Sequence, residues 1–129
     1  MDPGNVAWQR ELSVSLEKLA LMEEEHGNRR GAIAAWKDAL SISERLAEAY
    51  PENVDLKVTP VIHLAGVART LDPANPASRE QGLELLDRAL AILRPLSEAG
   101  KLNANRQSWI DWIEQQRAAL NRIGRAWGA

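Results

Sequence analysis

Ala32-Ile33-Ala34-Ala35-Trp36-Lys37-Asp38-Ala39-Leu40-Ser41-Ile42 is repeated 50 residues later as Gly82-Leu83-Glu84-Leu85-Leu86-Asp87-Arg88-Ala89-Leu90-Ala91-Ile92. Each copy sets a small residue (Ala32, Gly82) four positions before a large one (Trp36, Leu86). A second small residue (Ala39, Ala89) follows, and then Leu and Ile. Intervals of three and four put these side chains on one helix face. Small residues on such a face let a partner helix approach closely, and the large one fills the space beside them. Working outward, Leu16-x-x-Leu19-Ala20 matches Leu64-x-x-Val67-Ala68, and Pro3-Gly4-Asn5-Val6 matches Pro51-Glu52-Asn53-Val54, both displaced by 48 residues. The two extra residues of the larger displacement fall in the loop between Pro73 and Pro76. A unit of two helices therefore occurs twice. A helix pair leaves one apolar face uncovered, so neighbouring pairs must stack to bury it.

Five amphipathic segments follow from the same periodicity, at about residues 5 to 26, 28 to 49, 54 to 71, 79 to 98 and 103 to 125. Asn5 is the expected N-cap of the first, and His26-Gly27 its stop. Tyr50-Pro51 ends the second. Pro60 lies inside the third, where a proline removes a backbone donor and clashes with the preceding turn; a kink is expected, or a fresh start capped by Thr59. Asp72-Pro73-Ala74-Asn75-Pro76 is a loop, and Ser78 with Gln81 has the spacing of a capping box for the fourth segment. Gly100 separates the fourth from the fifth, which carries Trp109, Ile110, Trp112, Ile113, Leu120 and Ile123.

These residues resemble the tetratricopeptide repeat, whose pattern sets Leu and a small residue in one helix against Ala-x-x-x-aromatic in the next. Leu16, Leu19, Ala20, Ala32, Trp36 and Ala39 occupy those positions in the first copy, and Leu64, Val67, Ala68, Gly82, Leu86 and Ala89 in the second. The resemblance covers about residues 3 to 98. Glu23 stands where the family has an aromatic, and the period exceeds the family's roughly 34 residues. The longer period is similar to the extended-helix variant of kinesin light chains and bacterial arrays. The resemblance implies an all-α fold of antiparallel helical hairpins in a single domain. Repeat 1 spans about residues 3 to 50, repeat 2 about 51 to 99, and a capping helix about 103 to 126. Ala20 is expected against Ala32 and Ala68 against Gly82, with Trp36 mostly buried. Arg106, Gln107, Asp111, Glu114, Gln115, Arg117 and Arg122 are expected on the polar outer side of the capping helix.

Composition agrees with helices and narrows function. Among 129 residues there are 20 Ala and 17 Leu, no Cys, and a formal net charge of −2. Ala and Leu favour helix over sheet. The lack of cysteine excludes a disulfide framework and thiol chemistry and suits the cytoplasm. No apolar run approaches the roughly 18 residues of a membrane span, and the acidic Met1-Asp2-Pro3 start is unlike a signal peptide. Nucleic acid and membrane are accordingly not expected as partners. Charge is uneven: residues 5 to 27 carry five Glu against Arg10 and Lys18, a net of −3, whereas residues 101 to 129 carry five basic residues against two acidic ones, a net of +3.

Candidate chemistry is sparse. Glu23-Glu24-Glu25-His26 points in several directions around a helix and has no second histidine cluster to complete a metal set, so a solvated helix end is favoured. His63 has no Ser, Asp or Glu at a sequence spacing that would orient it as a general base, and a partly buried structural histidine or an exposed groove residue is favoured. Trp109 and Trp112 form either an aromatic platform or core; core is the expectation. Trp8 and Trp127 are candidates for exposure. No Gly-rich phosphate loop or paired catalytic carboxylates are present, so neither cofactor nor metal is expected.

The family resemblance implies a concave groove lined by the first helix of each pair, here Val14, Glu17, Leu21, Glu24, Ile62, Ala65 and Arg69. The Lys and Asn carboxylate clamp of some family members is not carried over, because Glu17 and Leu21 stand in its place. The expected function is a non-catalytic protein-interaction scaffold binding a peptide or partner helix. The alternative is a small helical enzyme or ligand-binding bundle. The junction-like Asp2-Pro3-Gly4-Asn5 start further suggests the C-terminal end of a longer array, as in bacterial multidomain signalling proteins. Its first helix would be left uncapped and open to self-association.

Overall fold

A computed structural model describes the backbone of residues 3–128 and the side chains of residues 5–126. Five helices follow in order: α1 (Pro3–Glu25), α2 (Arg29–Ala49), α3 (Val54–Thr70), α4 (Pro76–Glu98) and α5 (Ala104–Gly128). The described residues contain no strand.

Asparagine begins four of the five helices by one mechanism. Its side-chain oxygen accepts a backbone N–H that has no partner within the first turn. Asn28 accepts from Gly31, Asn53 from Leu56, Asn75 from Ala77 and Ser78, and Asn103 from Arg106. Asn75, with Pro76 at the first helical position, replaces the capping box expected at Ser78 and Gln81. A proline there gives up only a donor that the helix would leave free. At α1 the helix already begins at Pro3, so Asn5 lies inside it and is not its cap. Gly27 and Gly100, with φ of 73° and 68°, turn the chain out of α1 and α4. There Asn28 N–H bonds Glu23 O at 2.8 Å and Lys101 N–H bonds Leu96 O at 2.9 Å, which closes each helix end.

Of the two outcomes expected at Pro60, the fresh start is not found: α3 is continuous through it. Thr59, the expected cap, sends its hydroxyl back to Asp55 O at 2.8 Å. The helix runs through because Val58, Val61 and Leu64 around the proline are buried, and that packing outweighs one missing backbone bond.

Consecutive helices pack on each other: α1 on α2, α2 on α3, α3 on α4 and α4 on α5. The direction reverses at each step. Along α4 and α5, for example, Ser97 meets Gln107, Arg94 meets Glu114, and Asp87 meets Arg117. One apolar core runs through all five helices, from Ala20 in α1 through Trp36, Leu64 and Leu86 to Ile113 in α5. Helices two apart are also tied together: α1 to α3 by Glu17–His63 and Glu24–Arg69, α2 to α4 by Glu44–Arg88, and α3 to α5 by Asp55–Arg106. Alternate helices are thus linked by polar side-chain pairs, while the packing itself is between neighbours.

The small residues of the repeat sit where close approach requires them. Ala20, Ala32, Ala68 and Gly82 are all buried, and Trp36 is 3% exposed. A Cβ on Gly82 would stand 3.2 Å from Leu120 Cδ1 and 4.0 Å from Ala68 O. Gly66, outside the repeat pattern, is still more constrained: a Cβ there would lie 2.7 Å or less from three atoms of the Trp36 indole. Two expectations for α5 are corrected. Arg106, Glu114 and Arg117 face Asp55, Arg94 and Asp87 on neighbouring helices rather than the outer side. Trp112 is 39% exposed instead of belonging to the core, whereas Trp109 packs against the core's edge. Trp8 is exposed, and the side chain of Trp127 lies outside the described residues.

Candidate functional site

Val14, Glu17, Leu21 and Glu24 recur at three- and four-residue intervals along one side of α1, and Ile62, Ala65 and Arg69 do the same on α3. The ties between α1 and α3 bring these two rows together. Val14, Glu17 and Ile62 line a cavity of about 220 Å³ between α1, α2 and α3, with Ser43 and Leu46 among its walls. Glu24 and Arg69 line a more open hollow with Gly27, Arg29 and Thr70. Ala65 and Arg69 also line a third cavity, of about 200 Å³, shared with Leu86 from α4 and with Trp112, Gln116 and Leu120 from α5. Leu21 lines none of the three and stands exposed, and Ala65 is buried.

Two polar networks make the α1–α3 seam. In the first, His63 is fully buried with both ring nitrogens engaged: Nε2 meets Glu17 Oε1 at 2.6 Å, and Nδ1 meets Ser43 Oγ at 2.8 Å. A carboxylate can only accept, and against one Nε2 is the donor of this bond. The Ser43 hydroxyl also lies 3.1 Å from Leu40 O, its own helix's carbonyl. The absence of any orienting group near His63 in sequence is therefore corrected by the fold. Its partners come from 46 residues upstream on α1 and 20 residues upstream on α2. Ser43 was legible in one respect, since it continues the Trp36, Ala39, Leu40 stripe of α2 and so had to be buried. A buried hydroxyl on an apolar stripe calls for a polar partner on the facing helix.

In the second network the Arg69 guanidinium grips Glu24 through two bonds, Nε to Oε1 at 3.0 Å and Nη2 to Oε2 at 2.8 Å. Trp36 Nε1 donates to the same carboxylate at 3.0 Å, and Arg69 lies over the indole, 5.5 Å from its centroid. Partial burial pushes the Glu24 carboxyl up. The bonds from Arg69 and Trp36 and the Arg69 charge outweigh this and leave its pKa below the ordinary value of 4.5. Glu17 and Arg69, expected as free charges of a groove, are thus committed to internal partners, although Arg69 stays exposed; Val14, Leu21 and Ile62 are exposed apolar groups beside it.

Among the described residues no group of three or more His, Asp or Glu side chains is placed to hold a metal ion. No described helix is long and apolar enough to cross a membrane. Comparison with protein-family models, with curated proteins and with solved structures finds no match for this chain.

Proposed function

We propose that the chain is a tetratricopeptide-like helical-repeat module, a non-catalytic scaffold that binds an extended peptide or partner helix along the face shared by α1, α3 and α5. The observation that supports this reading is the linking of alternate helices by the Glu17–His63, Glu24–Arg69 and Asp55–Arg106 ties. Stacked helical hairpins offer one helix of each pair to a common surface in this way. Exposed apolar side chains recur along that surface on all three helices: Val14 and Leu21, then Ile62, then Trp112. The cavities between them, about 220 and 200 Å³, are of a size to receive single side chains of a bound segment.

The enzyme alternative has its best candidate in Ser43, His63 and Glu17. Ser43 is buried mid-helix within reach of the Leu40 carbonyl, and His63 is fully enclosed. Although Ser43 borders the cavity between α1, α2 and α3, it is 1% exposed with its hydroxyl against His63 and the Leu40 carbonyl, so we read this network as a tie between helices.

Selection from a random-peptide display library tests the proposal. Selected peptides are expected to bind the parent and to lose roughly ten-fold or more in affinity against Ile62→Asp and Trp112→Ala, in keeping with loss of an apolar anchor. Both positions are exposed, so the fold should survive. Peptides indifferent to both substitutions, or no selected binder, would overturn the groove.

A further inference from the structure

Six of the eight exposed large apolar residues of the described chain lie on α1. Val14 and Leu21 belong to the groove side, and the other four form a separate row. Trp8, Leu12, Leu19 and Met22, with Ser15 between them, follow a spacing of four, three, four and three. That alternation is the one found in the seam of a two-stranded coiled coil. At about 100° per residue this row lies on the side of α1 away from Val14, Glu17, Leu21 and Glu24. The neighbours of α1 within the chain take its Ser13, Glu17, Ala20 and Glu24 side. Trp8 is 61% and Met22 54% exposed, so no described element covers the row.

Charge indicates the occupant. Glu11, Lys18 and Glu25 border the row at seven-residue intervals, all exposed and in none of the ion pairs of the described residues. An antiparallel second α1 that sets Leu12 against Ser15 of the second copy, and Trp8 against its Leu19, brings Glu11 beside Lys18 of the second copy, twice by symmetry. Sliding by one heptad in one direction opposes Glu11 to Glu11. Sliding the other way opposes Lys18 to Lys18 and Glu11 to Glu25. Like charges in these places are disfavoured. A parallel pair would need Glu23 for Lys18, and Asn28 of the same chain already engages Glu23.

We infer that α1 pairs antiparallel with α1 of a second copy of this chain, through the Trp8, Leu12, Leu19 and Met22 row and two reciprocal Glu11–Lys18 pairs. The interface lies on the face of α1 opposite the proposed groove and stands independently of it.

Sedimentation equilibrium on the 129-residue chain tests this. A dimer is expected. Lys18→Glu places Glu against Glu at both pairs and should weaken the dimer roughly ten-fold or more, and so should Glu11→Lys. The double exchange Glu11→Lys with Lys18→Glu rebuilds both pairs with reversed sign and should restore affinity. Leu19→Ser removes apolar seam rather than charge and should weaken the dimer irrespective of salt. All four substitutions are at exposed sites, and circular dichroism should show parental helicity. A monomer at concentrations up to about 1 mM, the result if another protein or another segment occupies the row, would overturn the inference. A dimer that the double exchange fails to restore would overturn it equally.

Discussion

The two hairpins use one pattern and fill it differently. In the first, the large residue is Trp36, whose indole lies against Gly66 of α3 and donates to Glu24 of α1. In the second, the matching residue is Leu86, which leaves a cavity of about 200 Å³ bounded by Trp112, Gln116 and Leu120. The seam between α1 and α3 is held by buried and half-buried polar groups, whereas the helices around Leu86 meet through apolar side chains with ion pairs at the edge, such as Asp87–Arg117. The comparison teaches that a repeat position specifies only that something large must stand there. What stands there depends on the helix that faces it: Gly66 makes room for an indole, whereas Leu86, just as buried, borders a cavity shared with α5.

The largest expected effect is at Trp36. Trp36→Ala should cost about 3 to 5 kcal/mol, read as a loss of denaturation midpoint, because it empties the space beside Gly66 and takes a donor from Glu24. A variant that melts like the parent would show that the two hairpins do not differ as described. Gly66→Ala should cost about 1 to 3 kcal/mol through overlap with the indole. Most of that cost should vanish when Trp36→Ala is already present, since the two residues meet directly. Strict additivity of the pair in urea unfolding would separate them.

His63→Leu should destabilise by about 1 to 3 kcal/mol, because it strips a partner from buried Ser43 and from half-buried Glu17 while keeping the volume apolar. Adding Ser43→Ala should recover part of the loss, and a double variant no better than the single would mean that Ser43 finds water. Filling the second hairpin is the gentler test. Leu86→Phe should change stability by less than about 1.5 kcal/mol in either direction, because the added ring has the neighbouring cavity to enter. A loss as large as that of Trp36→Ala would show the cavity closed to side chains.

The smallest effect is a pH dependence. Glu24 has its pKa depressed in the folded chain, so its contribution is present above the ordinary value of 4.5 and is lost as pH falls through the lower folded value. Glu24→Gln should therefore be less stable than the parent at neutral pH by under about 1 kcal/mol, and the gap should close in acid below pH 4.5. A gap that stays constant down to pH 3, roughly the lower end of the carboxylate range, would remove the Glu24–Arg69 pair from the account of the first seam.

Five helices, the small residues at 20, 32, 68 and 82 and the burial of Trp36 could all be read from the order of the residues, because helix periodicity and glycine stops act within a few positions of chain. Helix starts were less legible. Asn75 displaced Ser78 as a cap, and Pro60 passed without a break, because a cap competes with its neighbours and packing overrides a single missing backbone bond. Beyond the burial of Ser43, the polar seams were not legible. Glu17, Ser43 and His63 lie on three different helices, as do Glu24, Trp36 and Arg69. Pairing them requires the axial register of one helix against another, which depends on how side chains interlock across the core. The same register half-exposes Trp112, and it turns the Trp8, Leu12, Leu19 and Met22 row of α1 away from every helix described here.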